Sequence, residues 1–281
     1  MFDFKWEKRG RIFTNHAQLP TPEVIGDVIR IHYSTRQDKK SYIKFFDVDA
    51  NDPAVVLGCS EDFVFRPGER GCFDDSGVMP SCIVDGMMFY TGWNVDKGNV
   101  PYGHGIGVAY WLDDRWSRSF DGPLLDRTVD TPYLVNSPCV IKMGDRYEMF
   151  FCKGTGWIDN FPTYVISSVV SNKHISKPWT FVGDLFDLFD EDMSNHASSR
   201  PCISYRNSQM QIWYSVKSKD SNYKIMYSDG FQHRVEIEPE QDWESEMTCY
   251  PWVVDYQDRT YMFYNGNGYG ETGIGWAELR K

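Results

Sequence analysis

The chain lacks the features that would direct it to a membrane, a metal or a nucleic acid. No run of about eighteen or more apolar residues occurs, so no spanning helix is expected. The opening residues MFDFKWEKRGRIF place Asp3, Glu7 and Lys8 where a signal peptide needs an apolar core. The seven cysteines are Cys59, Cys72, Cys82, Cys139, Cys152, Cys202 and Cys249. Their odd number, none of them paired as C-x-x-C, points to reduced thiols in a cytoplasm and away from a zinc site. Basic residues are in deficit: 29 Lys and Arg against 40 Asp and Glu give a net charge of −11. With no basic stripe to relieve it, such a surface repels a phosphate backbone, which argues against a nucleic-acid partner. The glycines and prolines are scattered, so no linker is indicated. No long stretch has helical periodicity, so helices should be few and short. Nothing in the chain calls for a cofactor.

What the chain does have is a repeat. The stretch FDDSGVMPSCIVDGMMFYTGWN, from Phe73 to Asn94, contains a polar cluster, a proline, an apolar run, an Asp-Gly turn and an apolar-aromatic run. Two β-rich runs joined by Asp-Gly form a hairpin signal. The same order recurs around Pro20, Pro138, Pro201 and Pro251, at spacings of roughly 50–63 residues. A third strand follows each hairpin: SYIKFFDVD, GIGVAYWLD, TYVISSVVS, NYKIMYSDG and TGIGWAELR. A fourth follows in the early units. The last unit runs out of chain, and the N-terminal KWEKRGRIF supplies the missing strand. This describes an all-β, single-domain, five-bladed β-propeller over residues 1–281. Its blades cover about 14–66, 67–126, 127–190, 191–245, and 246–281 with 1–13. A β-sandwich is the competing architecture, and the aligned proline, turn and aromatic positions weigh against it. The cysteines beside the repeated prolines read as small buried core residues.

In a propeller, equivalent positions of different blades converge on one central funnel. Five residues before each anchor proline stand Asn15, Asp75, Tyr133, His196 and Glu246, with His16 and Asp74 adjacent. One or two before it stand Gln18, Asn136, Ser137, Ser199, Arg200 and Tyr250. Unsatisfied buried polar groups cost roughly 2–7 kcal/mol on transfer scales, so this varied set suits a solvated pit that binds something polar. Taken singly, each is equally a turn former or a surface charge.

Carboxylates facing one another across a cleft suit glycosidic bond cleavage, in which one holds a proton while the other stays ionised. Asp75 and Glu246 fit those two roles, with Asp74 next to the first. Trp93, Trp157, Tyr250, Trp252 and Tyr269 are candidate sugar platforms, with Trp252 better placed in the core. The glycine-rich Asn265–Gly270 stretch lacks the strand–turn–helix context of a phosphate loop and reads as a turn.

FDDSGVMPS, SRPCIS and SEMTCYPWVV…YMFYNGNGYGETGIGWA resemble the five-bladed propeller glycoside hydrolases, the arabinanase, levansucrase and invertase relatives of families 43, 32, 68, 62 and 130. They are most similar to uncharacterised members that accompany bacterial surface-polysaccharide genes. The resemblance implies Asp75 or Asp74 as base or nucleophile and Glu246 as acid, three blades apart. It places the family's pKa-tuning Asp in the fourth blade, where this chain has His196, Ser199 and Arg200. A cation there suits an anionic sugar held by Arg200 and a histidine. The expected substrate-binding set is therefore His16, Asn15, Gln18, Asn136, His196, Arg200, Tyr250 and Trp93. Two functions remain open. One is a carbohydrate-active enzyme, whether glycosidase, glycosyl-transferring or phosphorolytic; the other is a non-catalytic propeller that binds a sugar or nucleotide sugar.

Overall fold

The computed structural model describes residues 5–95, 98–172, 174–176, 178–185, 197–206, 208–218 and 220–280. Twenty strands make up almost all of its regular structure. After β1 (Lys5–Phe13), the chain forms β2 (Gln18–Ile25), β3 (Val28–Gln37), β4 (Lys40–Asp49) and β5 (Val56–Cys59), each antiparallel to the one before within this group. A second group holds β6 (Gly77–Val84), β7 (Met87–Val95), β8 (Tyr102–Leu112) and β9 (Arg115–Arg118). The third holds β10 (Val135–Met143), β11 (Arg146–Ile158), β12 (Phe161–Asn172) and β13 (Thr180–Asp184). The fourth holds β14 (Ala197–Arg206), β15 (Gln209–Lys217), β16 (Lys224–Ser228) and β17 (His233–Ile237). In the fifth, β18 (Cys249–Tyr256), β19 (Arg259–Asn265) and β20 (Ile274–Arg280) are completed by β1, which pairs antiparallel with β20. The N-terminal strand thus supplies the strand that the last repeat lacks.

The apolar runs become the layers between neighbouring groups. Ile43, Phe65, Val78 and Met88 pack the first against the second, and Phe89, Val108, Val140 and Phe151 the second against the third. Phe150, Ile166, Ile203 and Ile212 join the third to the fourth, and Trp213, Tyr227, Met262 and Tyr264 the fourth to the fifth. Ile31, Phe46, Tyr261 and Phe263 bring the fifth back onto the first. Fully burying each of these side chains is worth about 1.5–3 kcal/mol.

The first strands of the five groups carry a shared irregularity. Each has a register shift around its anchor proline. In four of them the residue before that proline has a positive φ: Leu19 (61°), Ser137 (51°), Arg200 (50°) and Tyr250 (59°). Non-glycine residues held there cost of order 1–3 kcal/mol, so the surroundings must enforce the conformation. The four bulged amides each donate to a second-strand side chain of the neighbouring group. Ser137 N donates to Thr91 Oγ1 (2.9 Å), Arg200 N to Cys152 Sγ (3.1 Å), Tyr250 N to Ser215 Oγ (2.7 Å) and Leu19 N to Asn265 Oδ1 (2.8 Å). Asn265 also donates to the carbonyls of Ala17 (2.6 Å) and Gly273 (2.9 Å), so one buried amide latches the last group to the first. The cysteines are more than filler. Cys82, Cys139 and Cys202 each accept from an amide of the next group's first strand, at Val140, Ile203 and Val253.

Asn265→Ala removes all three bonds of the latch and strands a buried amide and two carbonyls. It is expected to lower unfolding free energy in urea by about 2–4 kcal/mol, whereas a loss below about 0.5 kcal/mol would show that the latch does not hold the ends together.

Candidate functional site

The first strands begin on one face, and there their bulges surround a cavity of about 730 Å³. Leu19, Met79, Ser137, Ser199 and Tyr250, all one or two residues before the anchor prolines, line it with Gln18 and Asn136. A bulge breaks the in-and-out alternation of a strand, which is how successive residues come to face the same space. Second strands add Arg36, Trp93 and Lys217 to the wall, third strands Tyr102, His104 and Tyr164, and the short turn after β19 adds Tyr269. Tyr269 reaches the wall because the chain turns left-handed at Gly268 (φ 61°) and Tyr269 (φ 59°).

The wall is aromatic and hydrogen-bonding. Tyr250 and Tyr269 stack with ring centroids 6.3 Å apart, and Tyr223 lies 6.1 Å from both. Tyr102 stacks on His104 at 4.9 Å. Burial drives the Tyr250 and Tyr164 phenols well above their usual range and Tyr102 to about 12, so all three present neutral hydroxyls. His104 faces the Asn136 amide (Nδ1 to Nδ2, 3.2 Å); burial, and after it the Arg36 charge, pushes its pKa down to about 3. Trp93 is fixed by donating from Nε1 to Ser41 Oγ (2.6 Å). Gly77 permits this contact, because a Cβ there would lie 2.0 Å from Ser41 Oγ and 2.2 Å from Trp93 Nε1. Arg36 lies over the Trp93 ring, 5.0 Å from its centroid.

The expected site residues divide sharply. Gln18, Asn136, Tyr250 and Trp93 line one cavity, whereas Asp74, Asp75, Glu246, Asn15 and His16 stand outside its lining. Asp74 is fully buried: its Oδ2 pairs with Arg118 (2.7 Å) and accepts from the Tyr90 hydroxyl (3.0 Å), and its Oδ1 is enclosed without a partner. Asp75 closes its own turn, accepting from Gly71 N (2.8 Å) and Ser76 Oγ (3.0 Å). Glu246 is exposed, and it is its backbone amide that is engaged, with Asn267. Asn15 is exposed; His16 is half-buried with its Nε2 unpartnered, and burial lowers its pKa. His196 lies outside the described residues. Asp159, exposed at the β11–β12 turn, is the one carboxylate of the described lining.

Arg200 requires a correction. It was expected to hold an anionic substrate, but it is 1% exposed and absent from the cavity wall. Its guanidinium crosses from the fourth group to the anchor prolines of the first and second. It donates to the Pro20 carbonyl (2.7 Å), Thr21 Oγ1 (3.0 Å) and the Pro80 carbonyl (3.3 Å), above the Trp252 ring. Desolvation lowers its pKa to about 10. At this left-handed bulge the side chain is buried among the first strands and does not line the cavity. Trp252 packs in the core as expected, and Trp157 lines a smaller adjoining cleft that shares Tyr102 and His104.

Sequence reasoning missed Arg36, Lys217, Tyr102, His104, Tyr164 and Tyr223. A signal existed for two of them. Ser34, Thr91 and Ser215 occupy matching second-strand positions, and two residues beyond each stand Arg36, Trp93 and Lys217.

His32, boxed by Phe45, Trp111 and Trp116, is also pushed to about 3 by burial, as His104 is. Both folded pKa values lie below the unfolded value near 6.5. The unfolded chain therefore takes up these protons first, and stability is lost as pH falls from about 6.5 toward 3. His32→Phe is expected to flatten the decline of the urea midpoint between pH 7 and 4.5; an unchanged slope would remove His32 as a cause.

No protein-family profile matches the chain. Among solved structures it is similar to BT0996 in its complex with RGII, with TM-score 0.70 and 14% identity over 98% of this chain and 92% of that one. A glycosidase from Bacteroides thetaiotaomicron gives TM-score 0.68 at 12% identity, over 98% and 96% of the two chains. The Bombyx mori GH32 beta-fructofuranosidase gives 0.62 at 12%, over 98% of this chain and 61% of that one. At such identities the likeness is one of fold. Two uncharacterized Mycobacterium tuberculosis proteins, of strains CDC 1551 and H37Rv, are 33% and 32% identical over 98% of this chain and 99% of theirs. The chain therefore belongs to one family with these two uncharacterized mycobacterial proteins, on a fold similar to that of the propeller glycoside hydrolases.

Proposed function

We propose that the five four-stranded groups are the blades of one propeller, and that the protein is a carbohydrate-active protein of the glycosidase type whose sugar sits in the central cavity. One observation carries the reading. A cavity of about 730 Å³ opens where the first strands begin, walled by Trp93, Tyr102, Tyr223, Tyr250 and Tyr269 among amide and hydroxyl groups. Sugars present apolar ring faces edged by hydroxyls. Aromatic faces cover the first, and Gln18, Asn136, Ser137 and the phenols can bond the second. The volume suits a ligand of one or a few rings.

Binding without turnover is the form this geometry favours. Glycosidic cleavage needs two carboxyl groups flanking the scissile bond. The described wall offers Asp159 alone, exposed at a hairpin tip. The hydrolytic form rests on a different observation. Asp75 and Glu246 both precede first strands, at the ends that open on the cavity, in a fold similar to that of glycoside hydrolases.

The two forms separate in one experiment. A glycan panel identifies a bound sugar, and turnover of that sugar is then compared between wild type and the Asp75→Asn, Glu246→Gln double variant. Equal affinity and equal turnover, including none, are expected. A drop in turnover of about 10²–10⁴ at unchanged affinity would place the pair in the chemistry. Failure of any glycan to bind would reject the sugar reading itself.

A further inference from the structure

Among the described residues Arg36 is an exposed cation at the cavity wall with no carboxylate beside it. Several half-buried cations of the described residues do have one: Arg118 has Asp74, Arg30 has Asp47 and Lys153 has Asp184. Arg36 lines the cavity and has no carboxylate partner among the described residues. Its electrostatic neighbours are the phenols of Tyr102 and Tyr250 and the imidazoles of His16 and His104, all of which can bond but none of which brings a negative charge. The guanidinium lies over the ring of Trp93, itself pinned by Ser41. Arg36 is exposed on the open side of the cavity wall, where water shares its charge, and crowding by the wall lowers its pKa. A second cation, Lys217, stands over Phe161 in the fourth group, which is not adjacent to the first, so the two charges occupy different parts of the wall.

Resting on the sugar reading above, we infer that Arg36 anchors the carboxylate of an acidic sugar, its ring lying against the tyrosines. One guanidinium among neutral groups matches one negative charge. Its planar fork meets a carboxylate with two parallel hydrogen bonds, a geometry the ammonium of Lys217 cannot offer. A phosphate dianion would leave part of its charge unmatched at this position. The carboxylate is therefore the better fit for Arg36 alone.

The test uses the full chain and ligands that differ in one group: glucuronate, its neutral amide glucuronamide, and glucose 6-phosphate, with uronate-bearing and neutral glycans from the same panel. Affinities are read by calorimetry for wild type and Arg36→Gln, with melting temperatures to verify folding. Wild type is expected to bind the carboxylate form about ten- to a hundredfold tighter than its neutral counterpart. In Arg36→Gln that preference should disappear while neutral affinity holds. Neutral sugars bound as tightly as acidic ones would overturn the inference and leave the sugar reading standing. Retention of the acid preference in Arg36→Gln would do the same, assigning it to another cation. Tighter binding of the phosphate through Arg36 would overturn the carboxylate assignment. Binding of no sugar of either kind would overturn both.

Discussion

The structure depends on one repeated clasp, in which a strained amide in the first strand of four of the five groups is held by a side chain of the neighbouring group. Four of the five first strands put a non-glycine residue into the left-handed region just before a proline. Left alone, that backbone would relax. It persists because Thr91, Cys152, Ser215 and Asn265 each present an acceptor where the bulged N–H points. The second group departs from the pattern: its register shift falls between Pro80 and Cys82, the residue before its anchor proline is not left-handed, and the matching Ser34 Oγ is buried without a partner. The clasp therefore couples fold and site. The conformation that locks neighbouring blades is the one that turns Leu19, Ser137 and Tyr250 toward the cavity.

Arg200 shows how the same device serves opposite ends. At the other bulges the displaced side chain faces the cavity, but here it is long enough to cross the axis to the carbonyls of Pro20 and Pro80. A buried guanidinium without a carboxylate is tolerable only when several carbonyl and hydroxyl oxygens share its charge. Arg200 thereby ties the first strands of the fourth, first and second groups together, and its role is structural. Arg200 and Arg36 thus differ in kind: the first is buried and its terminal nitrogens donate to its own chain, whereas the second is exposed at the cavity wall.

The all-β architecture was legible because proline, turn and aromatic positions recur in the same order, and one strand missing at the end matched one spare strand at the beginning. The cavity lining was legible at one offset and opaque at another. Gln18, Asn136 and Tyr250 lie within the bulge and face the cavity. Asp75 and Glu246 lie beyond the strand end, where loop conformation decides orientation, and a five-residue offset carries no information about it. Asp74 was misread for a related reason. Its partner Arg118 lies on the blade's fourth strand, 44 residues on, and nothing local announces such a pair. Arg36 and Lys217 are invisible to a pattern read along the first strands, because the second strands line the cavity as well.

The charge distribution gives the cavity its electrical character. The chain carries −11 overall, yet its described cavity wall holds Arg36 and Lys217 against the exposed Asp159. The acidic ligand inferred above would therefore approach against the global field and meet attraction only within the cavity. The Debye length at physiological ionic strength is about 8 Å, so salt screens the distant surface carboxylates more strongly than a contact made inside a partly enclosed site. Added salt should accordingly ease approach while weakening the Arg36 contact only modestly, the reverse of steering by a wholly basic surface. A local cation in an acidic protein thus selects by contact geometry more than by long-range attraction, which is what an aromatic-walled site for a small ligand requires.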